Sequence, residues 1–525
     1  MKKSPAPFAR FLVVVVTALL SAVVLAQSVG GSVVIAINAE PDSLDPQKSA
    51  TAVVNQVMRY IGDTLVSKDL NGNYIPGLAT SWTPSDDDKV WTFTLRENVL
   101  FHDGTPLTAE AVRASFLRAK DPATQSPVAA GLLAPVQDVV AVSDYVVEFH
   151  LAQPYYLLIE NLTQQAMAVV NAAAATELGA EFNRQPVLTG PWKVASWTSG
   201  SQIVLERNPD YAWGPEYAHD GPAYLAKLTF QIIPDQATAT AAFLAGNVDV
   251  LTVAPSDVQQ LESAGKYTLL SFMRKGLGLY MAYNVNQAPF DDVLVRRAMA
   301  YLIDKDALVA VSLRGLGQPA CGPLPPSIVG YWNGICDYAA PYDPARGLEL
   351  LKEAGYETVG GKLVKAGQPL KFSIITSSTY GWPQSAQVVQ SMLKELGIEV
   401  EIELVEHTTL LAKGREGAHQ AIFLGYTYTS ADILNSYLNS ANIGTGYNWA
   451  HYADPEIDSR LALTRGTSDN ALRLETYAEL QRMVLDLGLW LPLWINDNYI
   501  ALQPRVAGAQ LSKEGFVALL DAHVE

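Results

Sequence analysis

The chain has 525 residues, of which 36 are Lys or Arg and 53 are Asp or Glu, giving a formal net charge of −17. That length exceeds what one small core can organise, so two or three domains are expected; the acidic balance repels phosphate backbones and excludes nucleic-acid binding. Charged residues make up 17% of the chain and no low-complexity tract interrupts it, which excludes a disordered class.

The first predicted element is an export signal. Lys2, Lys3 and Arg10 precede the apolar run Phe11 to Leu25, and Val24-Leu25-Ala26 offers small residues for cleavage before Gln27. The run is shorter than the roughly 20 residues that span a bilayer. Removing residues 1–26 leaves 33 basic against 53 acidic residues, a net charge of −20. The mature chain is expected to be soluble and exported, in a periplasmic or other extracytoplasmic space.

Val33 to Ile37 follows as a short apolar run, read as a strand buried on both faces. "KVWTFTLRENVLF" then alternates, with Trp91, Phe93 and Leu95 on one face and Thr92, Thr94 and Arg96 on the other. His102 beside Asp103 invites a catalytic reading, but the context is strand, turn, helix. Gly104 takes the turn after Asp103, Thr108 is a good N-cap, Glu110 sits in the first helical turn, and Val112, Phe116 and Leu117 form the apolar stripe. The stretch is assigned to architecture.

Later segments keep the same grammar. "APFDDVLVRRAMAYLIDKDALV" is a helix opened by Asp291 and Asp292, and "DYAAPYDPARGLELLKEAGY" is another, with Gly355 at its end. In "SAQVVQSMLKELGIEVEIELVE" a helix ends at Gly397, and Ile398, Val400, Ile402 and Leu404 alternate with Glu399, Glu401 and Glu403. Strands alternating with helices predict α/β layers. The Pro-rich "GPLPPSIVGYW" is read as an ordered loop.

Cys321 and Cys336 are the two cysteines. In an oxidising compartment they are expected to form a disulfide, worth about 3 kcal/mol in the loop-entropy account. Their spacing matches no zinc or redox pattern, and none of the seven histidines pairs at helical ligand spacing, so no metal or cofactor is expected. No Gly-x-Ser-x-Gly elbow, phosphate loop, His-Glu-x-x-His or dinucleotide fingerprint occurs. An enzyme is therefore not expected; a secreted hydrolase is a distant alternative.

Five stretches in order resemble the extracellular solute-binding proteins of peptide-type ABC importers, family 5, the group of dipeptide, oligopeptide and nickel binders. They are "AEPDSLDPQ" (39–47), "GLATSWTPSDDDKVWTFTLRENVLFHDGTPLTAEAV" (77–112), "LTGPWKVASWTSGSQIVLERNPDYAWG" (188–214), "AAFLAGNVDVL" (241–251) and "YNVNQAPFDDVLVRRAMAYLIDKDAL" (283–308). The resemblance implies an α/β, three-domain, two-lobed periplasmic-binding-protein fold of the cluster C type, closing by a hinge over a ligand cleft. It implies domain I from residues 30–64, 189–282 and 481–525, domain II from 65–188, and domain III from 283–480. The implied function is the substrate-binding component of an importer, a monomer that captures a small solute and delivers it to an inner-membrane ABC permease complex. A short peptide is the leading ligand; an oligosaccharide is the alternative.

The resemblance also directs attention to "FLGYTYTSADILNSYLNS". Asp432 falls where dipeptide-type members pair a carboxylate with the ligand ammonium, a pairing that a buried cation requires; capping of the helix "ILNSYL" is the other role open to it. The step Ala431-Asp432-Ile433 departs from the Asp-Pro-Asp type common among peptide binders. Tyr426, Thr427 and Tyr428 beside it, and Tyr380 and Trp382 in "SSTYGWPQ", are candidate cleft linings, since loop aromatics ahead of helices give contact area at little entropic cost. Glu40 and Pro41, after the first strand, are a further candidate wall by family analogy. For a sugar, Asn435, Asn439, Asn442 and Asn448 with Trp449 would supply neutral hydrogen bonds and stacking.

Overall fold

The computed structural model describes residues 30–525, so the export signal expected at 1–26 lies outside the described residues. The first strand runs Ser32–Ile37, with Val33, Ile35 and Ile37 buried in one core and Val34 and Ala36 packed against a second, smaller one around Phe243. It pairs in parallel with Lys227–Ile232 on one side and with Val250–Val253 on the other. Gln202–Arg207 and Trp192–Thr198 extend that side antiparallel.

A second set of strands lies further along the same twelve-stranded sheet. Lys371–Thr376 pairs in parallel with Glu399–Leu404 and Ala421–Tyr426, and Leu277–Tyr283 adds antiparallel. One long strand, Trp490–Leu502, joins the two sets. Its first half pairs with Leu277–Tyr283 and Gly317–Pro319, and its second half with Val250–Val253 and Thr268–Met273. Partners change over at Asn496 to Asn498, where Gly317 faces Asn496 and Phe272 faces Asn498.

The cores divide at the same place. One cluster uses residues between Val33 and Phe230 plus Val250 and Ile500 to Ala522, and the small cluster around Phe243 adds Ala501. The other uses only Leu277 to Trp494. The molecule is therefore two lobes, each burying its own apolar residues, and the chain crosses between them at 273–277 and again within Trp490–Leu502.

Lobe one also carries a four-stranded antiparallel sheet in the order Ala79–Pro84, Val90–Leu95, Val146–Leu151, Val136–Ser143. Trp91, Phe93 and Leu95 are buried, as the alternation predicts, and helix Ala109–Lys120 packs back on the sheet with Thr108 accepting from the Ala111 amide. In lobe two the helices Pro344–Glu353 and Trp382–Glu395 lie where the apolar periodicity predicts them, while the stretch 288–309 read as one helix is two, Val293–Leu302 and Lys305–Ser312, because Ile303 is extended and Asp304 caps a new start. Cys321 and Cys336 form a disulfide across the irregular Pro-rich stretch, with Cα atoms 4.9 Å apart. Among the described residues no helix is long and apolar enough to cross a membrane.

Candidate functional site

The crossing segment Arg274-Lys275-Gly276 links Thr268–Met273 of lobe one to Leu277–Tyr283 of lobe two. The Arg274 amide donates to the Asn496 carbonyl, which ties the two crossings together. Gly276 adopts φ +89°, and a Cβ there would lie 2.0 Å from the Tyr426 carbonyl oxygen and 2.4 Å from the Tyr428 amide. Only glycine lets the loop 426–428 settle against the crossing.

From this floor the side chains reach both walls. Lys275 Nζ contacts Glu514 of lobe one at 3.3 Å, while Arg274 Nη2 donates to Thr427 Oγ1 of lobe two at 3.2 Å. Glu514 also pairs with Lys68 at 2.9 Å and Arg59 at 3.4 Å, and Lys68 reaches Glu160 at 2.9 Å. Glu160 in turn accepts from the Tyr74 hydroxyl at 2.8 Å and from Thr429 Oγ1 of lobe two at 3.3 Å. Burial pushes the Glu514 carboxyl upward, but the Lys68, Lys275 and Arg59 charges more than reverse this and hold it well below the usual carboxylate range. Burial, with Arg59 nearby, lowers Lys275 to about 8. A cavity of about 120 Å3 opens beside this network on the lobe-one side, lined by Arg59, Asp63, Lys68, Tyr217, Glu514 and Phe516 among others.

The lobes meet directly beyond the network. The Tyr156 amide donates to the Arg465 carbonyl at 2.9 Å, and the Arg473 guanidinium lies 3.2 Å from the centre of the Tyr156 ring.

The candidate residues fall into distinct settings. Tyr426 ends the strand Ala421–Tyr426, is 41% exposed, and its ring lies 5.7 Å from that of Tyr447. Thr427 holds Arg274, and Tyr428 is half-buried against the lobe-two core. Tyr380 is 48% exposed at the turn before helix Trp382–Glu395. Trp382, 3% exposed, belongs to the lobe-two core, with its ring against Gly425 of the central strand.

Asp432 is 8% exposed and its Oδ1 lies 3.2 Å from Arg465 Nε, without the alignment of a hydrogen bond. Burial raises its carboxyl to about 6, against the opposing pull of Arg465. Its side chain does not cap helix Ile433–Leu438; its own amide donates to Ser430 Oγ. Glu40 is exposed on lobe one and accepts from Trp197 Nε1 at 2.8 Å and the Gly200 amide at 2.9 Å, while Pro41 is buried. The structure thus gathers Tyr426, Thr427, Tyr428 and Asp432 in one loop of lobe two and leaves Glu40 apart, after the first strand, bonded to the lobe-one hairpin at Trp197 and Gly200.

The Nδ2 donors of Asn439, Asn442 and Asn448 bond within their own segment, while Asn448 Oδ1 is buried without a partner. Asn448 Nδ2 donates to the carbonyls of Leu438, Asn439 and Tyr452, Asn442 Nδ2 to those of Asn435 and Ser436, and Asn439 Nδ2 to Asn435 Oδ1. Among the described residues no group of three or more His, Cys, Asp or Glu is arranged to hold a metal ion.

Sequence reasoning missed Arg59, Lys68, Glu160, Arg274, Lys275 and Glu514. Glu514 joins Lys68 across 446 positions, and no local pattern announces such a pairing. Arg274-Lys275-Gly276 did carry a signal: two cations and a glycine between two strand-like runs in an acidic chain.

Comparison with known proteins matches residues 73–448 to the family described as bacterial extracellular solute-binding proteins, family 5 Middle. The chain is 27% identical to the glutathione-binding protein GsiB of Shigella dysenteriae serotype 1 (strain Sd197) over 523 residues, 97% of each protein. Among solved structures, MppA, a periplasmic murein tripeptide binding protein in its unliganded open form, is similar at a TM-score of 0.82 and 24% identity, covering 95% of this chain and 98% of that one. DppA from Helicobacter pylori, an ABC transporter-associated periplasmic binding protein in complex with the peptide STSA, is similar at a TM-score of 0.68 and 27% identity, covering 95% and 99%.

Proposed function

This chain belongs to the bacterial extracellular solute-binding proteins of family 5, and from that premise we propose that it captures a short peptide-like solute between its lobes and delivers it to an ABC permease. The observation that carries the proposal is the two-lobe construction. Two cores that share no residue, joined by two adjacent crossings, can close on a ligand by rotating as rigid bodies while few dihedrals change. The glutathione-binding and peptide-bound relatives support a peptide-like occupant.

In this reading residues 30–64, 189–282 and 481–525 form domain I, 65–188 domain II and 283–480 domain III. The mature protein works as a periplasmic monomer and a receptor rather than a catalyst. Tyr426, Thr427, Tyr428 and Tyr380 are the proposed lobe-two wall. Asp432 meets a ligand ammonium only by giving up Arg465, and Trp382 acts by supporting the wall from behind. The oligosaccharide alternative has less behind it, because the asparagines it needs are bonded within their own loop.

Native mass spectrometry of the purified mature chain tests the proposal. A co-purifying mass equal to a short peptide or peptide conjugate is expected; a sugar in its place would overturn the peptide assignment.

A further inference from the structure

The cations at the lobe boundary divide into two kinds. Arg59, Lys68 and Lys275 are all committed to Glu514, and Lys68 also to Glu160. Arg274 is not. Its side chain is half-buried, it has no ion pair among the described residues, and of its five donors only Nη2 has a protein partner, Thr427 Oγ1. Asn496, beside it across the ladder, has its Oδ1 buried without a donor. A half-buried guanidinium with most of its donors unspent can take a planar, bidentate anion, and a carboxylate fits its fork.

Position decides whether such an anion could be the captured solute. Arg274 is on the crossing itself, its side chain reaches lobe two while that of Lys275 reaches lobe one, and Tyr426 and Tyr428 flank the threonine that holds it. Burial lowers its affinity for its own proton, as expected of a cation that lacks a counter-charge.

We infer that Arg274 is the residue by which the cleft selects a solute carrying a carboxylate, receiving that group at the floor between the lobes. This rests on the proposed capture of a peptide-like solute and adds the group by which the solute is held. A carboxylate there also ties ligand arrival to closure, since it binds at the point about which the lobes turn.

Calorimetric titration of the mature chain tests it with four probes: glutathione, its two monoamides, each amidated at one carboxylate, and succinate. One of the amides is expected to bind at least about tenfold more weakly than glutathione. Arg274→Gln should bring that ratio to within about twofold, and Arg274→Lys should retain part of it, because the charge stays while the fork is lost. Equal affinity for glutathione and both amides, or an undiminished ratio in R274Q at an unchanged melting temperature, would overturn the assignment. Binding of succinate alone, lost in R274Q, would remove the peptide reading and keep the carboxylate pairing. Indifference to all four probes removes both.

Discussion

The corner at His102-Asp103-Gly104 and the loop from Tyr426 to Asp432 both follow a strand or strand-like run and precede a helix, and both set charged or polar side chains in a turn. The corner is saturated. His102 Nε2 bonds the Gly190 carbonyl, its amide donates to Leu188, and Asp103 accepts from the Thr105 amide and hydroxyl and from Asn171 Nδ2. The loop leaves groups unspent: Asp432 Oδ1 and Arg465 Nε have no aligned hydrogen bond, Tyr426 stands exposed, and Arg274 beside Thr427 lacks an acidic partner. A motif whose polar atoms are all used up holds structure together. One with atoms left over has something still to bind.

The largest effect is expected at the crossing glycine on which the loop rests. Gly276 has backbone atoms of 426–428 inside the space of a Cβ, so Gly276→Ala should cost roughly 3 kcal/mol or more and disturb ligand binding as well. Urea unfolding and titration of the same preparation would check this; a small loss would mean the loop is not seated on the crossing.

Acid and base should separate the regions next. Burial lowers His102 to about 4 from its ordinary value, so its contribution to stability is present above about pH 6.5 and is lost as pH falls through 4. Asp432 is raised to about 6, so its contribution is present below about pH 3.9 and is lost as pH rises through 6. His102→Gln should therefore flatten the acid limb of a stability–pH curve and Asp432→Asn the limb between pH 4 and 7. Each effect should be about 2 kcal/mol after allowing for solvent and for Arg465. Denaturation midpoints at pH 4, 5.5 and 7 would show limbs of opposite sign; the same sign in both would end the contrast.

The smallest effect is expected at Gly104. It adopts φ +82° but nothing lies within 4 Å of a Cβ built there, so Gly104→Ala should cost only about 1–2 kcal/mol of backbone strain and leave ligand affinity unchanged.

Local grammar was the legible part of this chain. Thr108, the alternation from Trp91 to Leu95 and the glycine ending the helix before Glu399–Leu404 each act within a few residues, and periodicity reports such short-range choices faithfully. The two-lobe order was legible through resemblance, because five separated stretches had to agree. The site was legible only as a loop. Asp432 reads as free in the sequence, and seeing that it is occupied requires knowing that Arg465, thirty-three positions later, returns beside it. Trp382 reads as a cleft lining in the sequence, and seeing that it belongs to the core requires knowing that Gly425 leaves it a socket there. Both facts depend on how distant segments pack, which one sequence does not encode locally.

Trp490–Leu502 carries a consequence for how the molecule comes into being. It comes after the inner strands of both lobes in the sequence, yet each lobe needs one half of it beside those strands, Leu277–Tyr283 in one and Val250–Val253 in the other. A chain emerging from its N-terminus can assemble helices and the four-stranded sheet early, but it cannot complete either lobe of the large sheet until residue 490 is out. The two halves then finish together, on a single strand, and each lobe's completion is bound to the other's. Assembly of the large sheet thus waits for Trp490–Leu502.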